Sequence, residues 1–260
     1  MYRLTEGPLN VYFLDVGQGD SELVVLPGGV KILADGGPDK EVLFELDRIL
    51  PATDRYIDLL VVSHAQLDHF GGLRDVLDRY RVGAVLFNGR EGTGSVWGEF
   101  RRELTDENVP LIVIGGGDKI VYGDNYFDVL SPSGELLQEP DLNDTSLVMK
   151  LVSGGAKILF TGDIGPTAEE YLVGRSDIDV DVLKVAHHGS RYSTSQAFVD
   201  KASPALSVIE VGINNTFGHP AESVLQRLWR AGSIVYRTDQ NGRVRLVIRD
   251  GKIGVAAEES

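Results

Sequence analysis

Cysteine is absent from the 260 residues of this chain. That excludes disulfides, thiolate metal sites and a cysteine nucleophile, but it does not fix the compartment, because an exported protein can also avoid thiols. Basic residues are in short supply. The 25 Lys and Arg face 39 Asp and Glu, giving a net charge of −14 and a pI near 4.7. Non-specific affinity for nucleic acid comes mainly from cations on phosphates, so this balance counts against a tight duplex binder, though not against an enzyme with a local basic rim. No window approaches roughly 18 uninterrupted apolar residues. The opening MYRLTEGPLNVYFLDV has no basic start followed by a long apolar stretch, so the chain is expected to be soluble as it stands. It is equally compatible with a domain cut from a longer protein that carries a membrane part.

Histidine is scarce too, and its distribution is informative. All five fall at the ends of apolar runs: His64 and His69 in SHAQLDHFGG, His187 and His188 in LKVAHHGS, and His219 in FGHP. Imidazole confined to such places points to metal binding or proton transfer. Without thiols, any metal must sit on imidazole and carboxylate.

A 42% hydrophobic content over this length can bury a sizeable core, and 31 Gly with 10 Pro predict many tight turns. Short β-branched runs alternate with Gly, Asp and Asn turns, from NVYFLDV near the start to VRLVIRD near the end. Helices are expected at 42–49, 70–80, 96–107, 166–173, 195–201 and 221–231. Many strands with helices interspersed indicate a layered α/β protein. AAEES at the end reads as a solvated tail, and YRTDQNG as a structural turn.

Two echoes suggest a repeat. VKILADGG resembles AKILFTGDIG, and DLLVVSH resembles DVLKVAH, at offsets of about 126 and 123 residues. Each half then has a strand ending in an acid, Asp35 or Asp163, and a later strand ending in a histidine, His64 or His187. One domain over residues 1–260 is expected, with halves of roughly 1–140 and 141–260. Strand ends facing a shared cleft let distant residues converge on one ion.

In SHAQLDHFGG the polar residues stand at relative positions 0, 2, 4 and 5. In an extended exit loop, positions 0 and 2 point the same way, and a turn into a helix returns 4 and 5 to that side. One loop can therefore offer nitrogen and oxygen ligands together. Its plainer reading makes Asp68 a helix cap and the histidines surface residues.

This combination resembles the metallo-β-lactamase superfamily, with its HxHxDH loop, and most closely the branch at the C-terminus of ComEC-type competence proteins. The resemblance runs through LDVGQGDS, ADGG, SHAQLDHFGG, LNDTSLV, FTGD, LKVAHHGS, GINNTFGHP and YRTDQNG in that order. It implies an αββα sandwich of two pseudo-repeated halves with a metal centre at the sheet edges. By the same resemblance His64 and the position of Gln66 belong to a first metal site, Asp68 and His69 to a second, Asp163 bridges them, and His188 or His187 completes the set. Asp35 braces the ligand loop by accepting backbone hydrogen bonds. Asp68 has a second role, orienting or deprotonating the attacking water.

Gln66 departs from the family pattern, since a neutral amide oxygen is a weak ligand. The third family motif is also replaced, by Asn143, Asp144 and Ser146 of LNDTSLV. One strong site and one that is weak, substrate-assisted or empty follow, for one or two divalent ions, Zn²⁺, Mn²⁺ or Fe²⁺. Donors for developing charge are expected from Lys184, Ser190, Asn143, Ser146, Asn215 and above all an imidazolium at His219. Gln18 and Asp20, in the Gly turn DVGQGD, are expected to approach substrate.

Metal-dependent phosphodiester hydrolysis of DNA or RNA is the function the resemblance implies. The alternatives are a phosphoesterase for an envelope or small phosphorylated substrate, a β-lactam hydrolase, and a binding module that has lost catalysis. The family's usual place suggests the outer face of the cytoplasmic membrane.

Overall fold

A computed structural model describes residues 7–258. Six strands open the chain, β1 (Leu9–Phe13), β2 (Glu22–Val25), β3 (Lys31–Ala34), β4 (Tyr56–Val62), β5 (Arg81–Phe87) and β6 (Leu111–Val113). Three helices lie between them, α1 (Glu41–Ile49), α2 (Leu67–Arg79) and α3 (Ser95–Asp106). Then follow β7 (Lys119–Tyr122), β8 (Asn125–Ser131), β9 (Val148–Ser153), β10 (Ala156–Phe160), α4 (Pro166–Arg175), β11 (Val182–Lys184), α5 (Gln196–Ala202), β12 (Leu206–Ile209), α6 (Glu222–Arg230) and β13 (Ile234–Arg237). A single turn, α7 (Thr238–Asn241), leads to the hairpin β14 (Arg243–Arg249) and β15 (Lys252–Glu258). None of these helices is long and apolar enough to cross a membrane, among the described residues.

One sheet runs β15-β14-β1-β2-β3-β4-β5-β6 and the other β13-β12-β11-β10-β9-β8-β7. The repeat is real at the level of pairing. In the first sheet β2 and β3 are antiparallel while β3, β4, β5 and β6 are parallel; in the second, β9 and β10 are antiparallel while β10, β11, β12 and β13 are parallel. The sheets do not divide the chain near residue 140, however. β7 and β8 already belong to the second sheet, and β14 returns to pair with β1 in the first. The expected tail is also partly ordered: Ala256 to Glu258 lie in β15, paired with β14 across Asp250 and Gly251, both at positive φ. Glu259 and Ser260 lie outside the described residues.

Three apolar layers separate the four layers of structure. Phe13, Phe127, Leu151, Phe160 and Leu246 fill the space between the sheets, with Phe160 6.2 Å from both Phe13 and Phe127. Leu46, Phe70, Leu73 and Phe100 press the first three helices onto the outer face of one sheet, and Leu172, Phe198 and Leu228 do the same for α4, α5 and α6 on the other. Each buried aromatic or aliphatic side chain contributes about 1.5–3 kcal/mol by leaving water. The result is the αββα sandwich.

One close approach positions the site. Gly71 and Gly72 sit inside α2, where each costs about 1 kcal/mol relative to alanine. A Cβ on Gly72 would lie 2.2 Å from the carbonyl oxygens of Asp39 and Gly36, so only glycine lets the helix seat on the loop after β3. Gly36 N–H donates to His69 O at 2.6 Å and Gly72 N–H to Gly37 O at 3.0 Å, which locks that loop to the helix carrying His69.

Candidate metal centre

Asp35 ends β3 in a left-handed conformation, φ 54°, and turns its carboxylate under the neighbouring strand. It accepts the Ser63 N–H at 2.8 Å, the Ser63 hydroxyl at 2.6 Å and the His69 Nδ1–H at 2.8 Å. Because Ser63 has spent its only proton on Asp35, its oxygen accepts from His64 Nδ1 at 3.0 Å. Asp35 thereby sets the tautomer of two histidines, beyond its expected role in bracing the loop.

The second half repeats this logic. Ser146 Oγ accepts the Asp163 N–H at 3.3 Å after β10, and His188 Nδ1 donates to the Glu210 carbonyl at 2.9 Å beyond β11. His187 and His188 both adopt left-handed φ, 51° and 52°, at a cost of order 1–2 kcal/mol each. That strain splays the two rings. His188 is buried, while the His187 side chain stays 30% exposed at the rim.

With Nδ1 of His69 and His188 occupied, their Nε2 atoms converge on Asp163. Ligand atoms of Asp68, His69, Asp163 and His188 all lie within 4.8 Å of one another. His69 Nε2 is 3.3 Å and His188 Nε2 3.6 Å from Asp163 Oδ2, and His188 Nε2 is 3.8 Å from Asp68 Oδ2. The Nε2 atoms of His64, His69 and His188 and Oδ1 of Asp163 are buried with no hydrogen-bond partner. Buried polar atoms left without a partner are costly, and a cation among them would satisfy them together. A carbonyl or carboxylate behind each imidazole is the usual support of a metal-ligating histidine. The residues present therefore fit a divalent ion.

The charges agree. Burial pulls His188 down, but the carboxylates of Asp163 and Asp20 overcome it and lift it to about 10, and His69 rises well above the usual imidazole range through Asp163 and Asp35. Burial would raise Asp68, yet His188 and His69 hold it at about 2. Asp163 stays ionised for the same reason. The cluster thus retains its anions and draws in positive charge.

His64 stands beside this set, its ring 4.2 Å from His69 and its pKa pressed to about 3 by burial and by His69. Gln66 donates its amide to Asn143 Oδ1, and Asn143 Nδ2 lies 3.5 Å from His187 Nδ1. His64, Gln66, Asn143 and His187 therefore line one side of Asp163, with a single buried imidazole as the strong donor. Replacing Gln66 by His should raise the metal bound at saturation by up to one further ion per chain, read by elemental analysis across a titration of free metal. Unchanged stoichiometry would count against a weak first site.

Burial corrects the expected substrate contacts of Lys184, Asp20, Ser146 and Ser190, while Gln18 and Asn215 also serve their own loops. Lys184 is fully enclosed; its ammonium pairs with Asp20 and donates to Gly162 O at 3.2 Å. Asp20 is equally buried and also faces His188 Nδ1 at 3.2 Å, so this pair supports the site from behind. Ser146 is enclosed under Asp163, and Ser190 Oγ is 3.4 Å from the Tyr192 N–H within its own loop. Gln18 Oε1 accepts the Gly212 N–H at 3.2 Å, joining two loops. Asn215 clasps the His219 backbone at 2.8 and 3.0 Å. His219 itself reaches the rim, 5.8 Å from the His187 ring and 6.4 Å from His188, but burial and those two rings push it down to about 4. It is a neutral imidazole at neutral pH, contrary to the expected imidazolium. YRTDQNG is structural as expected: Thr238 Oγ1 is bonded to Val211 N and O.

Sequence reasoning missed Ser63, Glu22 and Glu210. An acid closing the apolar run SVIEVG was a visible signal for Glu210. Asp20, Glu22 and Glu210 gather within 4.8 Å around Lys184. Burial and the Asp20 charge push Glu22 up to about 8. A carboxyl raised in the folded state stabilises below its unfolded pKa, near 4.5, and that contribution is lost as pH rises toward 8. Glu22→Gln should accordingly gain in Tm relative to the wild type between pH 5.5 and 8.5. A difference in Tm that is flat across that window would overturn the protonated Glu22.

A four-layer αββα sandwich with a buried His and carboxylate cluster where strands of both sheets end defines a metallo-β-lactamase-fold protein. The family model for the metallo-beta-lactamase superfamily matches residues 14–209, and the chain belongs to that superfamily, whose fold is generally hydrolytic and typically binds divalent metals. It is 30% identical over 259 residues to "ComE operon protein 3" of Bacillus subtilis, covering 93% of this chain and 33% of that protein. It is 32% identical over 250 residues to "Competence protein ComA" of Neisseria gonorrhoeae, covering 94% and 33%. The chain thus spans about a third of the length of these relatives. Among solved structures, the metallo-beta-lactamase fold protein YhfI from Bacillus subtilis aligns with TM-score 0.59 and 13% identity over 89% of this chain and 96% of its own, a likeness of fold.

Proposed function

We propose that this protein is a metal-dependent phosphodiesterase that cleaves nucleic acid. The observation that carries the reading is the set of Asp68, His69, Asp163 and His188, ligand atoms within 4.8 Å, closed on its inner side and open at Asp68, whose side chain is 37% exposed. Two imidazoles and two carboxylates without thiolate suit Zn²⁺ or Mn²⁺, and His188 rather than His187 is the ligand because its Nε2 is buried and directed into the set. A divalent ion there would lower the pKa of water and polarise the phosphoryl oxygen. Asp68, ionised and nearest to solvent, would orient an attacking water and accept its proton. His219, as a neutral ring on the rim, offers an N–H to a phosphoryl oxygen, and the Asn143 amide lies beside His187.

A phosphorylated small molecule is the second reading, favoured by the net charge of −14, which gives no general attraction for a long polyanion. The relatives' names associate proteins of this kind with competence, which supports the nucleic-acid reading and a place in a longer protein. The test is hydrolysis of bis(p-nitrophenyl) phosphate, single-stranded DNA, RNA and nitrocefin by metal-stripped protein reloaded with Zn²⁺ or Mn²⁺. Metal-dependent phosphodiester turnover that vanishes in Asp68→Ala is expected. Metal-loaded protein inert on every phosphodiester would overturn the reading, and turnover of nitrocefin alone would move it to carbonyl chemistry.

A further inference from the structure

Phe217 takes no part in the chemistry described so far, yet it is 64% exposed beside the centre. A lone exposed apolar side chain needs no explanation, but this one is aligned. Its ring lies 5.8 Å from His219 at an interplanar angle of 24°, and His219 lies 5.8 Å from His187 and 6.4 Å from His188. A file of rings therefore leads from solvent to a ligand of the cluster.

The loop that presents Phe217 is fixed. Asn215 and His219 exchange two hydrogen bonds across it, Gly212 is tied to Gln18, and the Ala221 N–H donates to Gly189 O at 2.8 Å, directly after the paired histidines. Such a phenyl ring is held out toward water by its surroundings. With a net charge of −14, the chain lacks the general electrostatic attraction on which most nucleic-acid binding rests, so affinity for a strand must come from local contacts. Stacking of bases on aromatic rings supplies such contacts and tolerates any sequence.

We infer that Phe217 and His219 form a stacking subsite for an unpaired nucleobase next to the phosphodiester that enters the metal centre. The inference rests on the phosphodiesterase reading and deepens it. A base within a duplex already has both faces covered, so the subsite takes a base from a single strand or one flipped out of a duplex.

The test is binding of a single-stranded oligonucleotide that carries 2-aminopurine between phosphorothioate linkages, which resist cleavage. Stacking quenches this base. Wild-type protein and Phe44→Leu, which alters an exposed ring on α1, should bind and quench alike. Phe217→Leu should weaken binding about tenfold and abolish the quench. On a strand with an abasic tetrahydrofuran in that place, wild type and Phe217→Leu should converge. Equal binding and quenching by Phe217→Leu, or undiminished wild-type affinity for the abasic strand, would overturn the subsite, as would a wild type that does not bind the strand. Failure of the enzymatic reading looks different: the strand is bound and quenched, but its ordinary phosphodiester version is never cut with Zn²⁺ or Mn²⁺.

Discussion

Asp163→Asn is expected to lose metal and phosphodiester hydrolysis together, with kcat/KM falling about a thousandfold or more. Asparagine keeps the size of the side chain and the backbone bond to Ser146, so the turn after β10 should survive. What goes is the anion that lies 3.3 Å from His69, 3.6 Å from His188 and 3.8 Å from His187, the one carboxylate common to both sides of the centre. Metal content by elemental analysis and turnover of bis(p-nitrophenyl) phosphate should fall in the same variant while circular dichroism stays native. A loss below about tenfold, with full metal content, would show that Asp163 is not the shared ligand.

Lys184→Met should be the most destabilising single change, by about 3–5 kcal/mol, because it strips the partner from a charge held in a dry interior. Asp20 would then face Glu22 and Glu210 with only the imidazoles of His188 and His69 near it. A domain of ordinary stability, about 5–15 kcal/mol, would lose a large part of its margin. Asp20→Asn in the same chain should restore part of it, since the double variant buries no orphaned charge. Urea denaturation of the four species reads the coupling. Strictly additive losses would show that the two groups do not depend on one another. The exposed pair Arg101 and Glu91 offers the contrast, as removal of either should cost less than about 1 kcal/mol.

The architecture was largely legible, because its signals are local. Each of the six predicted helices begins and ends within three residues of the place its pattern indicates, and each β-branched run became a strand. β15 was missed because KIGVAAE has few β-branched residues and leads into an acidic end; the Asp250–Gly251 turn was the overlooked signal. Strand ends pointed to Asp35, Asp163, His64 and His187, whereas Asp68, His69 and Asp163 with one histidine of the HHGS pair came from the family resemblance, and the structure gathers these with His188. Roles that depend on distant partners were not legible. Lys184 reads as a charge at a strand end, free to reach substrate. Its inward turn is decided by Asp20, 164 residues away in sequence, in the loop between two strands of the other sheet. The choice between His187 and His188 likewise follows from two left-handed backbone conformations and a carbonyl at Glu210, which no spacing reveals.

The candidate ligands are drawn in equal number from the two sheets, Asp68 and His69 from the start of α2, Asp163 and His188 from the turns after β10 and β11. An ion on that set is a rivet through the sandwich, and its uptake and the closure of the fold are linked equilibria. Stability should then grow with the logarithm of free metal above the dissociation constant, roughly 2.7 kcal/mol at a hundredfold excess. A melting curve recorded against buffered Zn²⁺ would thus report the affinity of the centre with no substrate in the tube, and a chelator would return the sandwich to the stability of its apolar layers alone.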